Sequence, residues 1–181
     1  VLQEGCCGAL DYHLSAHEAG MRKMKALIDQ LYPRIDQIDY IVSSATGCGV
    51  TIRDYPEILQ YDAEYSDKAR AIADKLVDPI EIVSEETIEV TPTRVAVHTP
   101  CSMQHGLGLT GAVEKLLGDM GFDITPHKEG HLCCGSAGTY NLLQNDIAKK
   151  LLKNKIINIE KIKPQIISTG NIGCITQIAN G

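Results

Sequence analysis

Adjacent cysteines occur twice in this chain, and each pair is followed by a lone cysteine at nearly the same distance. Cys48 lies 41 positions after the second member of the pair Cys6-Cys7, and Cys174 lies 40 positions after the second member of Cys133-Cys134. Each pair is followed by glycine, and each lone cysteine ends a Gly-Cys dipeptide. The sequence therefore contains one structural unit twice, offset by 126 to 127 residues.

The remaining cysteine, Cys101, lies 32 positions before Cys133, so all seven cysteines belong to the pattern. A repeated thiol set indicates a bound metal centre, because soft thiolates select iron–sulfur clusters or zinc. The second unit has the four thiolates that a [4Fe–4S] cluster requires, whereas the first has three and is expected to find its fourth in a longer chain upstream of Val1. The predicted ligands are Cys101, Cys133, Cys134 and Cys174 in the second unit, and Cys6, Cys7 and Cys48 in the first.

The cysteines admit three other interpretations. Free cysteines often only pack in a core, but packing does not require repetition. Structural zinc is the stronger alternative, although typical zinc sites use Cys-x₂-Cys knuckles, which are absent from the sequence. A thiol-redox site would usually show Cys-x-x-Cys as well.

Charge and composition exclude several classes of function. The net charge is −6, Trp is absent and Phe occurs once, which argues against nucleic-acid binding. No apolar run approaches the roughly 20 residues of a transmembrane helix, and no signal peptide is visible. Many cysteines without a secretory signal predict reduced thiols and a cytoplasmic protein, with a peripheral position at the inner face of the cytoplasmic membrane as the alternative.

Strand and helix patterns alternate along the chain, which predicts an α/β fold. We expect two pseudo-repeated βαβ (Rossmann-like) halves, residues 1–90 and 91–181, with mostly parallel sheets and the cysteines in loops at the C-terminal ends of strands. Strands are predicted at 39–44, 93–98, 122–126 and 165–169, with Val1-Leu2 as the tail of another. Helices are predicted from a Ser15–Glu18 capping box to Leu31, and over about 51–60, 66–77, 109–120 (C-capped by Gly121) and 137–156.

Histidines and lysines near the cysteines admit two interpretations each. His98, His105 and His131 could ligate a metal, donate to a sulfide or carry protons, or they could be ordinary loop histidines. The lysine-rich segment is predicted to be the solvated face of a helix and its exit, with docking of a partner as the alternative. Its members are Lys149, Lys150, Lys153, Lys155, Lys161 and Lys163.

Four motifs in combination resemble the cysteine-rich CCG domain family, which includes iron–sulfur subunits of glycolate oxidases and a cluster-binding component of heterodisulfide reductases. These motifs are Gly5-Cys-Cys-Gly-Ala-Leu10, Thr99-Pro-Cys-Ser-Met-Gln-His105, Leu132-Cys-Cys-Gly-Ser-Ala-Gly-Thr-Tyr140 and Thr169-Gly-Asn-Ile-Gly-Cys-Ile175. The general family motif ends in Cys-x-x-Cys, and here Ala45 and Asn171 occupy the first of those cysteine positions. The five-thiolate non-cubane cluster of heterodisulfide reductase therefore does not carry over to this chain.

The resemblance implies an iron–sulfur electron-transfer component of a 2-hydroxy-acid (glycolate) oxidase or dehydrogenase complex. Its [4Fe–4S] cluster would accept electrons from a flavin-containing subunit and pass them toward a quinone or another acceptor. No catalytic acid or base is expected within this chain. The alternative is a zinc-binding or metal-free domain that keeps the cysteine scaffold and docks subunits.

Overall fold

The computed structural model of this chain describes residues 5–83 and 90–181. Helices alternate with short strands, and every strand pair among these residues is parallel. The chain divides into two compact units, Val1–Glu81 and Ile82–Gly181. The α/β class with parallel sheets is thus confirmed, while the boundary between residues 90 and 91 stays a prediction.

The first unit is built on a two-stranded parallel sheet in which Ile41 pairs with Leu76 and Val42 with Val77. Parallel strands need a crossover between them, and here helices supply it. The strands are β1 (Ile41–Val42) and β2 (Leu76–Val77). The helices are α1 (Ala9–His13), α2 (His17–Leu31), a 3₁₀ helix (Tyr32–Gln37), α3 (Thr46–Arg53), α4 (Tyr55–Ile58), α5 (Ser66–Asp74) and α6 (Pro79–Ile82).

Helix α2 provides the main apolar face of the first unit. Met24 and Ile28 are fully buried, and the three- to four-residue spacing of the buried positions is that of an amphipathic helix. The predicted capping box is wrong, because the helix begins at His17 and has no side-chain cap. Ser15 has a φ of 67° and belongs to the turn between α1 and α2, so it cannot also serve as the N-cap.

The second unit contains a three-stranded parallel sheet with β3 (Arg94–Val97) at its centre, flanked by β4 (Asp123–Ile124) and β5 (Ile166–Ser168). Its central position explains why Val95, Ala96 and Val97 are buried. The helical segments are a π-helical turn (Ser102–Gly106), α7 (Ala112–Asp119), α8 (Tyr140–Leu143), α9 (Asn145–Glu160) and α10 (Ile172–Ala179). No helix in the described part of the chain is long and apolar enough to cross a membrane.

Element types agree with the predictions better than element boundaries do. The helix predicted over 66–77 ends at Asp74, because Leu76 and Val77 leave it to pair with β1. The helix predicted over 137–156 is divided into α8 and α9. Gly121 follows α7 with a left-handed φ of 97°, as predicted for its C-terminal cap. The predicted strand tail Val1-Leu2 lies outside the described residues.

The three lone cysteines follow strand ends, as predicted, but they occupy helical turns rather than open loops. Cys48 lies in the first turn of α3, after β1. Cys174 lies in the first turn of α10, after β5, and Cys101 begins the π-helical turn after β3. The C-terminal edge of parallel strands is where α/β folds gather ligand-binding groups, and β3 and β5 are neighbours, so Cys101 and Cys174 lie at the same edge of the sheet.

Candidate metal centre

The four predicted ligands of the second unit lie side by side. The thiol of Cys101 contacts that of Cys133, Cys133 contacts Cys134, and Cys134 contacts Cys174. All four are free thiols. Cys134 and Cys174 are buried, Cys133 is half-buried and Cys101 is exposed, so the row runs from the interior to the surface.

Gly135 determines the shape of the Cys133-Cys134 turn. Its φ is 93°, and a Cβ at this position would lie 2.5 Å from the backbone oxygen of Ala148 in α9. Only glycine allows so close an approach in this left-handed conformation. The Gly135 N–H donates to the Cys133 sulfur at 3.3 Å. The turn thus packs directly against α9 and directs a backbone donor at a sulfur.

Asn171 positions the helix that carries Cys174. Its side-chain oxygen accepts a hydrogen bond from the Gly173 N–H at 2.9 Å, which makes Asn171 the N-cap of α10. A Cβ on Gly173 would lie 2.7 Å from the Ser136 hydroxyl oxygen, so α10 also packs closely on the residue after the Cys-Cys-Gly turn. The residue at which the sequence departs from the family motif therefore has a structural role here.

His98 is the histidine that the structure places at the thiols. It is 1% exposed, and its ligand atom and the Cys134 and Cys174 sulfurs all lie within 4.8 Å of one another. Neither ring nitrogen forms a hydrogen bond of good geometry among the described residues, although the ring lies close enough to the Cys174 thiol to lower its pKa. A buried imidazole without a partner is rare enough to point to a missing group. His105 and His131, by contrast, are exposed.

Contacts among the sulfurs divide them into two electrostatic classes. The Cys101 and Cys134 thiols lower the pKa of Cys133, and contact with Cys134, reinforced by His98, lowers the pKa of Cys174 to about 6. The same contacts, together with burial, raise the pKa values of Cys101 and Cys134. Without metal the row therefore holds thiolates next to thiols, and metal binding must release the remaining protons.

Lys155 corrects the interpretation of the lysine-rich segment. It is only 2% exposed, whereas Lys149, Lys150 and Lys153 on the same helix are exposed as predicted. Its Nζ donates to the backbone oxygens of Glu129 at 2.9 Å and Gly130 at 3.3 Å. Lys155 lies seven residues after Ala148 and therefore on the same face of α9, and the burial of that face is a result of tertiary packing.

The first unit brings two of its three cysteines into contact. Cys7 is buried and touches the half-buried Cys48, while Cys6 is exposed. The contact with Cys48 lowers the pKa of Cys7 to about 6 and correspondingly raises that of Cys48. The hydroxyl of Tyr55, fully buried, donates to the Cys7 backbone oxygen at 2.8 Å.

The donor set of the second unit fits a soft metal centre. Four thiols meet the requirement of a [4Fe–4S] cluster, and the unpartnered His98 adds a nitrogen at the same place. A single tetrahedral ion also fits, since two sulfurs bound to one zinc at about 2.3 Å lie about 3.8 Å apart. The first unit offers three thiols with one at the surface, a less complete set.

The cysteines of both units lie within a known protein family's matching segments. A family model described as a CCG cysteine-rich domain matches residues 2–53 and 95–179, more than half of the chain. The two matched segments contain all seven cysteines.

Three curated proteins illustrate the similarity. The glycolate oxidase iron-sulfur subunit of Escherichia coli (strain K12) is 43% identical over 183 residues, which cover 98% of this chain and 45% of that protein. Lactate utilization protein A of Geobacillus sp. (strain WCH70) is 27% identical, over 96% of this chain and 74% of that protein. The probable glycolate oxidase iron-sulfur subunit of Bacillus subtilis (strain 168) is 27% identical, over 99% of this chain and 41% of that protein. The chain thus spans less than half the length of two of these relatives, and it belongs to the cysteine-rich CCG domain family.

Proposed function

We propose that this chain is the iron–sulfur part of a 2-hydroxy-acid oxidase or dehydrogenase complex and serves electron transfer. The observation that carries the proposal is the row of four contacting thiols in the second unit. The names of the relatives, glycolate oxidase iron-sulfur subunit and lactate utilization protein, support an iron–sulfur centre in hydroxy-acid oxidation over other soft-metal sites.

In this proposal the second unit holds a [4Fe–4S] cluster, which supplies one-electron oxidation and reduction. Its ligands are Cys101, Cys133, Cys134 and Cys174. The first unit contributes Cys6, Cys7 and Cys48 to another, less complete centre.

The protein surroundings suit an electron-transfer role. Cys134 and Cys174 are less than 10% exposed, so the interior side of the centre excludes water, which is one lever on a cluster potential. Cys101 is exposed, so one side of the centre lies at the protein surface, where an electron-transfer partner can approach it. The Gly135 N–H directed at the Cys133 sulfur stabilises negative charge there, and the packed turn keeps the ligands in place when the charge changes.

The further partners follow from the same proposal. Electrons arrive from a flavin-containing subunit and leave toward a quinone or another acceptor, in the cytoplasm or at the inner face of the cytoplasmic membrane. Residues 1–90 and 91–181 form the two cysteine-rich repeats. The chain binds and orients the cluster, and the flavin subunit carries out the oxidation of the hydroxy acid.

Metal analysis of an anaerobic preparation is the decisive test. We expect iron and acid-labile sulfide together, with broad visible absorption from thiolate-bound iron that bleaches on reduction. A protein prepared and reconstituted without oxygen that contains neither iron nor this absorption would overturn the proposal.

A second candidate is a structural zinc domain that docks subunits. It is favoured by one observation, that His98, Cys134 and Cys174 lie within 4.8 Å of one another, close enough to share a single ion. Stoichiometric zinc with no iron in the same anaerobic preparation would select this candidate.

A further inference from the structure

Helix α9 holds the turn that leads into Cys133. Lys155 donates to the backbone oxygens of Glu129 and Gly130, at 2.9 and 3.3 Å. The Glu129 carboxylate in turn accepts from the side-chain amides of Asn154 and, at 3.0 Å, Asn158. Glu129 has a left-handed φ of 55°, which is uncommon for a residue other than glycine. Three side chains of one helix therefore fix the approach to the cysteine pair.

The hydrogen bonds explain the position of Lys155 but not its charge. The side chain is 98% buried, and no carboxylate among the described residues forms an ion pair with it. Two carbonyl oxygens provide partial negative charge only, whereas a buried cation without a counter-charge costs several kcal/mol. An apolar residue would pack at this position without that penalty, and a negative group nearby would offset the cost of the buried ammonium.

The cysteine row provides the negative charge. Burial lowers the pKa of Lys155, and Cys134 and Cys133, when ionised as they would be on binding a metal, oppose this lowering more strongly than Glu129 does. Ile156, the next residue of α9, packs against the cluster formed by Cys134 and Cys174, so the helix turn that carries Lys155 borders the centre. Geometry and electrostatics both relate this lysine to the metal-ligating sulfurs.

The first unit provides an internal comparison. Its Cys-Cys-Gly turn approaches the backbone oxygen of Gly20 in α2, as Gly135 approaches that of Ala148 in α9. Seven residues after each of these contact points lie Leu27 and Lys155, respectively. Leu27 also reaches the turn before its cysteine pair, 3.1 Å from a Cβ built on Gly5. The lysine is thus particular to the unit that has four thiols.

We propose that Lys155 is the built-in counter-charge of the four-cysteine centre and raises its reduction potential. The proposal rests on the proposed function, because it presupposes an iron–sulfur centre in the second unit. A reduced cluster carries one more negative charge than an oxidised one, so a fixed buried cation stabilises the reduced state more. Lys155 is a positioning and tuning residue, and it binds no metal itself.

The test compares the reduction potentials of anaerobic, iron-loaded variants. We expect Lys155→Met to shift the reduction equilibrium about tenfold toward the oxidised state, which for one electron corresponds to a potential lower by about 59 mV. Lys153→Met is the matched control, since it removes the same charge from an exposed position of the same helix and should leave the potential nearly unchanged. Asn158→Ala removes a hydrogen bond to the Glu129 carboxylate without changing the charge, and it should likewise leave the reduction potential unchanged.

The iron content and the reduction potential together distinguish a failure of the Lys155 proposal from a failure of the proposed function. Equal potentials of the wild type and Lys155→Met at normal iron content would overturn the role of Lys155 and leave the proposed function intact. If Asn158→Ala lowers the reduction potential as much as Lys155→Met does, the effect comes from the turn at Glu129, and the role of Lys155 as a counter-charge is overturned. If Lys155→Met fails to retain iron, Lys155→Arg and Lys155→Gln decide, because only the charged variant should retain it, and equal loss in both contradicts the proposal. A wild type without iron would overturn the proposed function and this proposal with it.

Discussion

The two Cys-Cys-Gly turns of this chain share one packing arrangement. Gly8 and Gly135 both have left-handed φ values, 78° and 93°, and a Cβ on either would lie 2.5 Å from a backbone oxygen of the following long helix. In the first unit that oxygen belongs to Gly20 of α2, and in the second to Ala148 of α9. The backbone scaffold that presents two consecutive thiols is therefore common to both units.

The polar groups around the two turns differ. The second unit has a buried lysine where the first has Leu27, and it has the N-cap Asn171 where the first has Ala45, which makes no side-chain cap. It also has four contacting thiols, against a contacting pair in the first. One scaffold can thus support a more complete or a less complete metal site, because the remaining ligands and the charged groups around them are carried by side chains outside the turn.

The largest expected difference between the units is in metal binding. Cys134→Ser removes a central ligand of a complete set, so most of the iron should be lost. Cys7→Ser alters a set that already lacks a fourth thiol and should change the iron content little. Iron and sulfide analysis of both variants after anaerobic reconstitution measures this. Equal losses would contradict the view that the second unit holds its own centre.

The shared scaffold predicts a large and equal loss of stability on substitution of either turn glycine. Gly8→Ala and Gly135→Ala each place a Cβ against a backbone oxygen and impose a strained φ, which should lower the free energy of unfolding by about 3 kcal/mol. Gly138→Ala is the control, since it has a φ of 62° but open space around it and should cost only about 1 kcal/mol. Urea unfolding curves compare the three, and a Gly135→Ala protein as stable as Gly138→Ala would refute the close approach.

Replacing His98 should stabilise the metal-free protein but weaken the retention of iron in the metal-loaded protein. In the metal-free protein its two nitrogens are buried without a hydrogen bond of good geometry among the described residues, so His98→Leu should raise the free energy of unfolding by about 1 kcal/mol. In the loaded protein the same change removes a group at the centre and should reduce iron retention. Thermal unfolding with and without chelator, together with iron analysis, tests this. His105→Leu, at an exposed position, should do neither.

The smallest expected difference concerns the helix caps. Asn171→Ala removes the hydrogen bond to the Gly173 N–H and should lower the free energy of unfolding by about 1 kcal/mol. Ala45 has the extended backbone of an N-cap residue without a capping side chain, so Ala45→Asn should raise it by a similar or smaller amount. Thermal melts of the pair check both signs. If Asn171→Ala loses no stability and Ala45→Asn gains none, the asparagine cap does not stabilise either helix.

Sequence reasoning succeeded where a pattern is local or repeated. The cysteine spacing predicted a set of four thiols, and the structure brings these four into contact, with Cys101 and Cys174 following the ends of β3 and β5. It failed where long-range contacts override local preference. Ser15 matches the sequence pattern of an N-cap but has a left-handed φ in a turn. Leu76-Val77 continues a helical pattern but forms a strand that pairs with Ile41-Val42, far away in the sequence.

The amino-acid sequence by itself determined the family, the α/β class and the set of repeated thiols, because these depend on residue types and spacings that the chain carries locally. Tertiary structure alone decided which polar groups surround the sulfurs. Lys155 is buried because α9 turns that face toward the cysteine turn, and His98 lies at the thiols because β3 is the central strand. Burial and charge environment are properties of packed neighbours, which a linear pattern of residues does not specify.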